Sequence, residues 1–261
     1  MSIPAGSLTA ESIAAALIEA ERTGRTLPIE IGQALAPGVG YAAQDIEVAT
    51  RIEAGDALAG FKVGLTVPTA QASMGVDHPG YGRLHTSMLL SSPAVIRVTN
   101  APQPVMLECE VAVTLRADLT VDRLEELLAD RASVDLAVAS VHVAAEVVTG
   151  RWDRAVSTWE AWAADNGCSF QAVFGTPQQR VPLGRIFSGT ITVNGTAHEG
   201  QSVRVDDTLG WLAKQLATTS TPLFPGAVIL TGAVVGPVPV QAGDAVELSI
   251  DGLGAVAVHV E

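Results

Sequence analysis

Two glutamates, Glu108 and Glu110, flank a single residue in Met106-Leu107-Glu108-Cys109-Glu110-Val111-Ala112-Val113. The two-residue period of a strand puts Leu107, Cys109, Val111 and Val113 on one face and both carboxylates on the other. On a dry face the two charges repel each other unless a cation neutralises them. Glu-x-Glu by itself also describes a solvated strand face, so a metal site needs a third ligand. Glu146 is the candidate. It interrupts the apolar run Val141-His142-Val143-Ala144-Ala145-Glu146-Val147-Val148, where a lone carboxylate is costly unless it is paired or metal-bound. The alternative is an ion pair with Arg151 or Arg154 just beyond. Three carboxylates around a hard ion of octahedral preference leave about three positions for water and a bidentate oxygen ligand such as a 2-oxo acid.

Lys62 sits in Gly60-Phe61-Lys62-Val63-Gly64-Leu65-Thr66, an apolar strand followed by a glycine-containing turn. Its ammonium either snorkels to the surface or faces an anion, and residue statistics favour snorkelling. The segment Gly75-Val76-Asp77-His78-Pro79-Gly80-Tyr81-Gly82-Arg83-Leu84 reads as a tight, glycine-rich loop able to present side chains over a site. Arg83, six residues after Asp77, could pair in bidentate fashion with a distal substrate carboxylate; the plainer alternative is an exposed loop arginine. Other chemistries lack support. The five histidines fit no zinc pattern, and although His142 and Glu146 have helical spacing, the β-branched residues around them favour a strand. No G-x-S-x-G occurs, and the glycines from Gly226 to Gly236 lack dinucleotide or P-loop spacing.

The elements that must position these groups are partly legible. Ile13, Ala16, Leu17 and Ala20 follow helical spacing, with Thr9 as N-cap and Gly24 as stop. A second helix is expected from about Ala42 to Ala54, and others over Val121 to Ala132, Trp152 to Ala164 and about Thr208 to Thr218. Strands are expected over Phe61 to Leu65, Val95 to Val98, Met106 to Leu115 and Ala137 to Val148. Asn194-Gly195 and Asp251-Gly252 signal hairpins in a strand-rich C-terminal third. Helices and strands do not alternate regularly, which favours an α+β architecture with a curled mixed sheet over a doubly wound one.

Composition narrows the partners. The chain has 261 residues, 48% of them hydrophobic, enough for a substantial core in one large domain, with or without a small appendage. The formal charge of −13 and the absence of any basic run argue against nucleic acid. Such a chain also repels anionic substrates at long range, so a small acid needs a local positive centre, which a bound cation would supply. Two cysteines are too few for a disulfide framework and suit a reducing cytoplasm, and no apolar stretch approaches the roughly 20 residues that span a bilayer.

In order along the chain, several short motifs resemble one family, the 2-oxopent-4-enoate hydratases and 4-oxalocrotonate decarboxylases. Lys62-Val63-Gly64-Leu65-Thr66 resembles its K-[VIM]-G-L-[TS] segment, Gly75-Val76-Asp77-His78-Pro79 its G-V-D-x-P loop, Glu108-Cys109-Glu110 its E-x-E pair and Ala145-Glu146-Val147-Val148 its third-ligand strand. Ala164-Asp165-Asn166 and Ile229-Leu230-Thr231-Gly232-Ala233 resemble its A-D-N and I-L-T-G-A segments, with Gln241-Ala242-Gly243-Asp244 following at a familiar spacing. The resemblance implies a fumarylacetoacetase C-terminal-like mixed β-roll with flanking helices over residues 59–261, preceded by a small helical N-terminal region over 1–58. It also implies a Mg²⁺ or Mn²⁺ ion, homo-oligomerisation, and a small unsaturated 2-oxo acid as substrate. Carried over by position, Glu108, Glu110 and Glu146 become metal ligands, Lys62 and Asp77 acid and base candidates, and Thr231 with Gly232 a substrate-contact turn. The implied reaction is addition of water to a 2-hydroxy-2,4-dienoate, with decarboxylation or fumarylacetoacetase-like C–C hydrolysis as alternatives. The hydrolase ranks lower because Ala145-Glu146-Val147-Val148 follows the hydratase-like pattern, and a non-catalytic binder is a further alternative. Two departures stand out. The family continues A-D-N-A-S where this chain has Gly167-Cys168, so a thiol replaces the hydroxyl expected at the substrate, or Ser169 supplies it from one position on. The family's G-H-P-L helix entry is replaced by Val205-Asp206-Asp207-Thr208-Leu209.

Overall fold

A computed structural model describes residues 8–98, 101, 103–219 and 221–261; the first seven residues of the expected N-terminal region lie outside it. The helices are α1 (Ala10–Thr23), α2 (Ile29–Gln33), α3 (Val39–Glu53), α4 (Pro68–Ser73), α5 (Val121–Ala129), α6 (Val134–Ala137), α7 (Trp159–Ala164) and α8 (Val205–Leu216). The strands are β1 (Leu58–Gly64), β2 (Gly80–His85), β3 (Leu89–Ser91), β4 (Ala94–Ile96), β5 (Met106–Leu115), β6 (Val138–Val148), β7 (Ser169–Phe174), β8 (Ser188–Val193), β9 (Thr196–Gln201), β10 (Val228–Pro239), β11 (Ala245–Ile250) and β12 (Gly254–Val260).

They form a seven-stranded sheet ordered β2-β1-β10-β5-β6-β7-β3 and a five-stranded sheet ordered β4-β12-β11-β8-β9. Both are mixed: β1 runs parallel to β10, β3 to β7 and β4 to β12, and the remaining neighbours are antiparallel. This is the α+β mixed-sheet architecture expected. The main core joins the two sheets, with Leu107, Cys109, Val111 and Val113 of β5 clustered with Ile191, Leu248, Val256 and Val258 of the smaller sheet. Burying such side chains stabilises by about 1.5–3 kcal/mol each. Because alternate residues face opposite ways, burying the Cys109 face against the small sheet turns Glu108 and Glu110 to the other side.

Local chemistry accounts for the boundaries. The Thr9 hydroxyl accepts from the Ser12 amide at 3.4 Å, and Gly24, at φ 66°, closes α1, whose Ile13, Leu17 and Ala20 are buried. These residues join Ile29, Ala43, Trp152 and Ala161 in a second apolar cluster, which fastens α1, α2 and α3 to α7. No helix among the described residues is long and apolar enough to cross a membrane.

Three expectations are corrected. The helix expected from Trp152 begins only at Trp159, where Thr158 caps it; Leu27 and Trp152 instead form an isolated bridge between extended segments. The helix expected to run to Ala132 stops at Ala129, because the Asp130 carboxylate accepts from the Ala132 amide (3.1 Å) and the Ser133 hydroxyl (2.7 Å), which competes with helix continuation. The second half of the glycine-rich segment read as a loop is the fully buried strand β2. Its glycines make room for packing rather than turning the chain: a Cβ on Gly80 would lie 2.2 Å from the Trp162 ring, and one on Gly82 2.5 Å from the Asn166 carbonyl oxygen.

Candidate metal centre and its surroundings

In the β5–β6 ladder Glu108 pairs directly with Glu146, and Glu110 with Ala144. Alternation therefore brings all three carboxylates to one face, where oxygens from each lie within 4.8 Å of one another. Glu110 and Glu146 are each 1% exposed, and Glu108 is half-buried. The Gly232 amide donates to Glu110 Oε2 at 2.9 Å, whereas Glu110 Oε1 and Glu146 Oε1 are buried with no hydrogen-bond partner. Leaving two such oxygens without a hydrogen bond beside a third carboxylate is costly even with one ammonium nearby, and a divalent cation relieves all three at once. An all-oxygen, triply anionic set suits a hard divalent ion. Burial, then the charge of Glu146, pushes Glu108 up to about 7 against the opposing pull of Lys62. Burial and the charges of Glu146 and Glu108 likewise hold Glu110 well above the ordinary glutamate range.

Lys62 does not snorkel. It is 4% exposed, and its Nζ donates to the Gly167 carbonyl oxygen at 2.6 Å, lies 3.4 Å from Glu146 Oε1 and sits 5.3 Å from the centroid of the Trp162 ring. Burial favours the neutral amine, but Glu146 and Glu108 outweigh it and raise the pKa, so the group stays an ammonium.

Gly232 occupies an irregularity in β10 between Leu230 and Ala233, at φ 103°, and it is this departure from the ladder that accompanies its amide's bond to Glu110. The Thr231 hydroxyl is engaged inside the sheet, donating to the Val111 carbonyl at 2.8 Å. Cys168 follows Gly167; its Sγ is 3.9 Å from Asp165 Oδ2, and burial pushes the thiol far above its usual range, so it remains protonated. The buried Ser169 hydroxyl has no hydrogen-bond partner and borders a small polar cavity with Glu47 and Arg151 rather than the carboxylate cluster.

Two expected site residues are not brought to this cluster. Arg83 is 1% exposed, and its guanidinium is bound by Gln44 and Asp45 of α3, so it is neither an exposed loop arginine nor unpartnered. Asp77 is exposed in the segment leading to Gly80, which pairs with Gly64, two residues from Lys62. The proposed ion pairs of Glu146 with Arg151 or Arg154 are also absent: Arg151 pairs with Asp165 and Glu47, and Arg154 with Glu30. A cleft of about 710 Å³ lies at the far end of β5 and β6 beside Arg116, Ser140 and Arg180, and includes none of the three glutamates. Sequence reasoning missed Trp162, the Gly167 carbonyl and the Asp165–Arg151 pair. The only prior signal was the Ala164-Asp165-Asn166 motif.

Residues 44–261 match the family model for the fumarylacetoacetate (FAA) hydrolase C-terminal region. A 2-keto-4-pentenoate hydratase of Burkholderia vietnamiensis is 34% identical over 264 aligned residues, covering 94% of this chain and 95% of that protein. A 2-keto-4-pentenoate hydratase 1 of Dechloromonas aromatica is 31% identical, with 97% of each covered. Among solved structures, a 4-oxalocrotonate decarboxylase from Pseudomonas putida G7, complexed with magnesium and adipate, superposes with a TM-score of 0.84 at 24% identity, covering 98% of this chain and 99% of that one. That likeness shows a shared fold.

Proposed function

The chain belongs to the fumarylacetoacetate hydrolase C-terminal family, and on that premise we propose that it is a metal-dependent hydro-lyase adding water to a 2-hydroxy-2,4-dienoate to give a 4-hydroxy-2-oxo acid. The observation that carries the reading is the buried cluster of Glu108, Glu110 and Glu146 facing the Lys62 ammonium, in a chain 34% identical to a 2-keto-4-pentenoate hydratase over nearly its whole length.

Glu108, Glu110 and Glu146 would hold Mg²⁺ or Mn²⁺. When bound, the ion supplies Lewis acidity toward the substrate's 1-carboxylate and 2-oxygen. Lys62, fixed by the Gly167 carbonyl, holds positive charge against the 2-oxygen as the 2-hydroxyl proton leaves and the dienolate forms. A proton then reaches C5, the oxygen of water joins C4 and the remaining proton joins C3, so the product differs from the substrate by one water. Asp77, at the solvent side of the segment before β2, orients that water or carries its proton. Thr231 shapes the turn that aims the Gly232 amide at Glu110, and the Cys168 thiol offers a weak donor where the family's hydroxyl stands.

The substrate is a monocarboxylate in this reading. The buried guanidinium groups of Arg83 and Arg151 are both committed to the protein's own Gln, Asp and Glu side chains, and the floor of the same sheet face is apolar, built from Leu84, Met88, Ala112, Ala144, Ala172 and Leu230. The cytoplasm and a homo-oligomeric state are part of the same proposal; the free thiols Cys109 and Cys168 suit a reducing compartment, and light scattering would measure the assembly. Incubation with freshly generated 2-hydroxypenta-2,4-dienoate, its dioate homologue and 2-oxohex-3-enedioate, with Mg²⁺ and mass identification of products, tests the reaction. Gain of water on the first substrate supports the hydratase. Loss of carbon dioxide from the hexenedioate without hydration of a dienoate assigns a decarboxylase instead.

A further inference from the structure

Three consecutive residues, Asn166, Gly167 and Cys168, hold a left-handed backbone, at φ 51°, 62° and 62°. For the two non-glycine residues this costs on the order of 1–2 kcal/mol each and persists only where the surroundings over-determine it. Here they do. The Cys168 amide donates to the Asp165 carbonyl at 2.8 Å, and the Thr149 amide donates to the Cys168 carbonyl at 3.0 Å. The Asn166 side chain clamps β2, accepting from the Arg83 amide at 2.7 Å and donating to the Arg83 carbonyl at 2.9 Å. The carbonyl in the middle of the turn, that of Gly167, is the one that holds Lys62.

The turn begins at Asp165, a carboxylate only 1% exposed. Its Oδ1 accepts from Arg151 Nε at 2.6 Å and its Oδ2 from the Arg151 amide at 2.9 Å. Arg151 Nη1 in turn reaches the two oxygens of Glu47 at 2.9 and 3.0 Å. None of these three side chains belongs to the carboxylate cluster. Apolar residues of similar volume often stabilise as well as a buried ion pair or better, so stability alone is a weak reason for the pair, whereas two charge-assisted bonds to one carboxylate fix direction.

We propose that the Arg151–Asp165 pair, braced by Glu47, positions Lys62: it fixes the left-handed turn whose Gly167 carbonyl holds the ammonium opposite Glu146. The inference rests on the reading of Lys62 as a group that acts on bound substrate. Fit at the turn is tight, since a Cβ on Gly167 would lie 2.6 Å from Lys62 Cε and 2.7 Å from the Trp162 ring. When the turn relaxes, Lys62 loses its carbonyl anchor and is drawn to the glutamates, where it competes with a cation instead of serving the substrate. Helix α3, which supplies no carboxylate to the cluster, thereby acts on it through Glu47.

A double-mutant cycle tests this. Asp165→Asn keeps shape and removes the charge; Lys62→Met removes the positioned group. Each variant and the double variant are compared at saturating Mg²⁺ for kcat and KM on 2-hydroxypenta-2,4-dienoate, per site counted by Mn²⁺ titration, with thermal melts alongside. Asp165→Asn alone is expected to lower kcat about tenfold or more with little change in KM, and to have no further effect on kcat in the Lys62→Met background. Arg151→Lys, which keeps a cation on Asp165, should retain more activity than Arg151→Met, and Arg151→Met replaces Asp165→Asn in the cycle if that variant does not fold. Equal kcat losses in both backgrounds, or none in either, overturn the positioning role while leaving the hydratase reading intact. A kinetically silent Lys62→Met overturns the assigned role of Lys62 and this inference together.

Discussion

Glu108 and Glu146 are direct cross-strand partners in the β5–β6 ladder, two carboxylates placed where a sheet would ordinarily pair compatible side chains. Like charges opposite one another destabilise a sheet, and burial of Glu146 compounds the cost. The arrangement becomes favourable once a divalent cation lies between them.

Replacing Glu108, Glu110 or Glu146 by Ala is therefore expected to abolish Mn²⁺ binding in calorimetric titration, a weakening of about 100-fold or more. The Glu108 and Glu110 variants should melt no lower than the metal-free parent, because each substitution also removes repulsion, whereas Glu146→Ala also takes away the buried partner of Lys62 and should melt lower. Unchanged affinity in all three would remove the metal assignment.

The raised carboxyl groups give a pH dependence of definite sign. The folded, metal-free protein retains a proton on Glu108 up to about 7, whereas the unfolded chain releases it near the ordinary glutamate value. Stability from this group is thus fully present below the unfolded value and is lost as pH rises through the folded one; Glu110 acts in the same direction. A divalent ion cancels that loss, so the melting-temperature gap between metal-loaded and metal-free protein should widen from about pH 5 to about pH 8. A gap that is flat or narrows with pH contradicts the electrostatic account.

Arg83→Ala should destabilise the fold by about 1–3 kcal/mol, since it empties a buried site and strands Gln44 beside half-exposed Asp45. It should leave any preference between mono- and dicarboxylate substrates unchanged. Urea unfolding and competition kinetics measure the two effects separately, and a selectivity change without loss of stability would return Arg83 to the substrate.

Cys168→Ser places a hydroxyl where the thiol is held protonated by burial. Activity should be retained or rise by up to about tenfold, because a hydroxyl is the stronger hydrogen-bond donor. A loss of turnover with an unchanged melting temperature would show that the sulfur itself contributes.

Much of the site was legible because strand periodicity needs no partner: Glu108 and Glu110 must share a face, and Glu146 interrupts an apolar run. What remained hidden depends on residues distant in sequence. From its own segment Lys62 reads as a snorkelling lysine, and only the family resemblance makes it a site residue, because its acceptor, the Gly167 carbonyl, belongs to a turn 105 residues later. β2 read as a loop because Gly80 and Gly82 carry the composition of a turn, although they admit Trp162 and Asn166. Arg83 read as available because Gln44 and Asp45 reach it from α3, and nothing in its own segment announces them.

The central claim is metal-dependent hydration at the three-glutamate cluster. It is tested most directly by stripping the protein with chelator and following 2-hydroxypenta-2,4-dienoate and its 4-hydroxy-2-oxo product before and after Mn²⁺ is restored, in the parent and in Glu146→Gln. The account predicts product only in the metal-restored parent; equal hydration by the stripped parent, or by metal-restored Glu146→Gln, would contradict it.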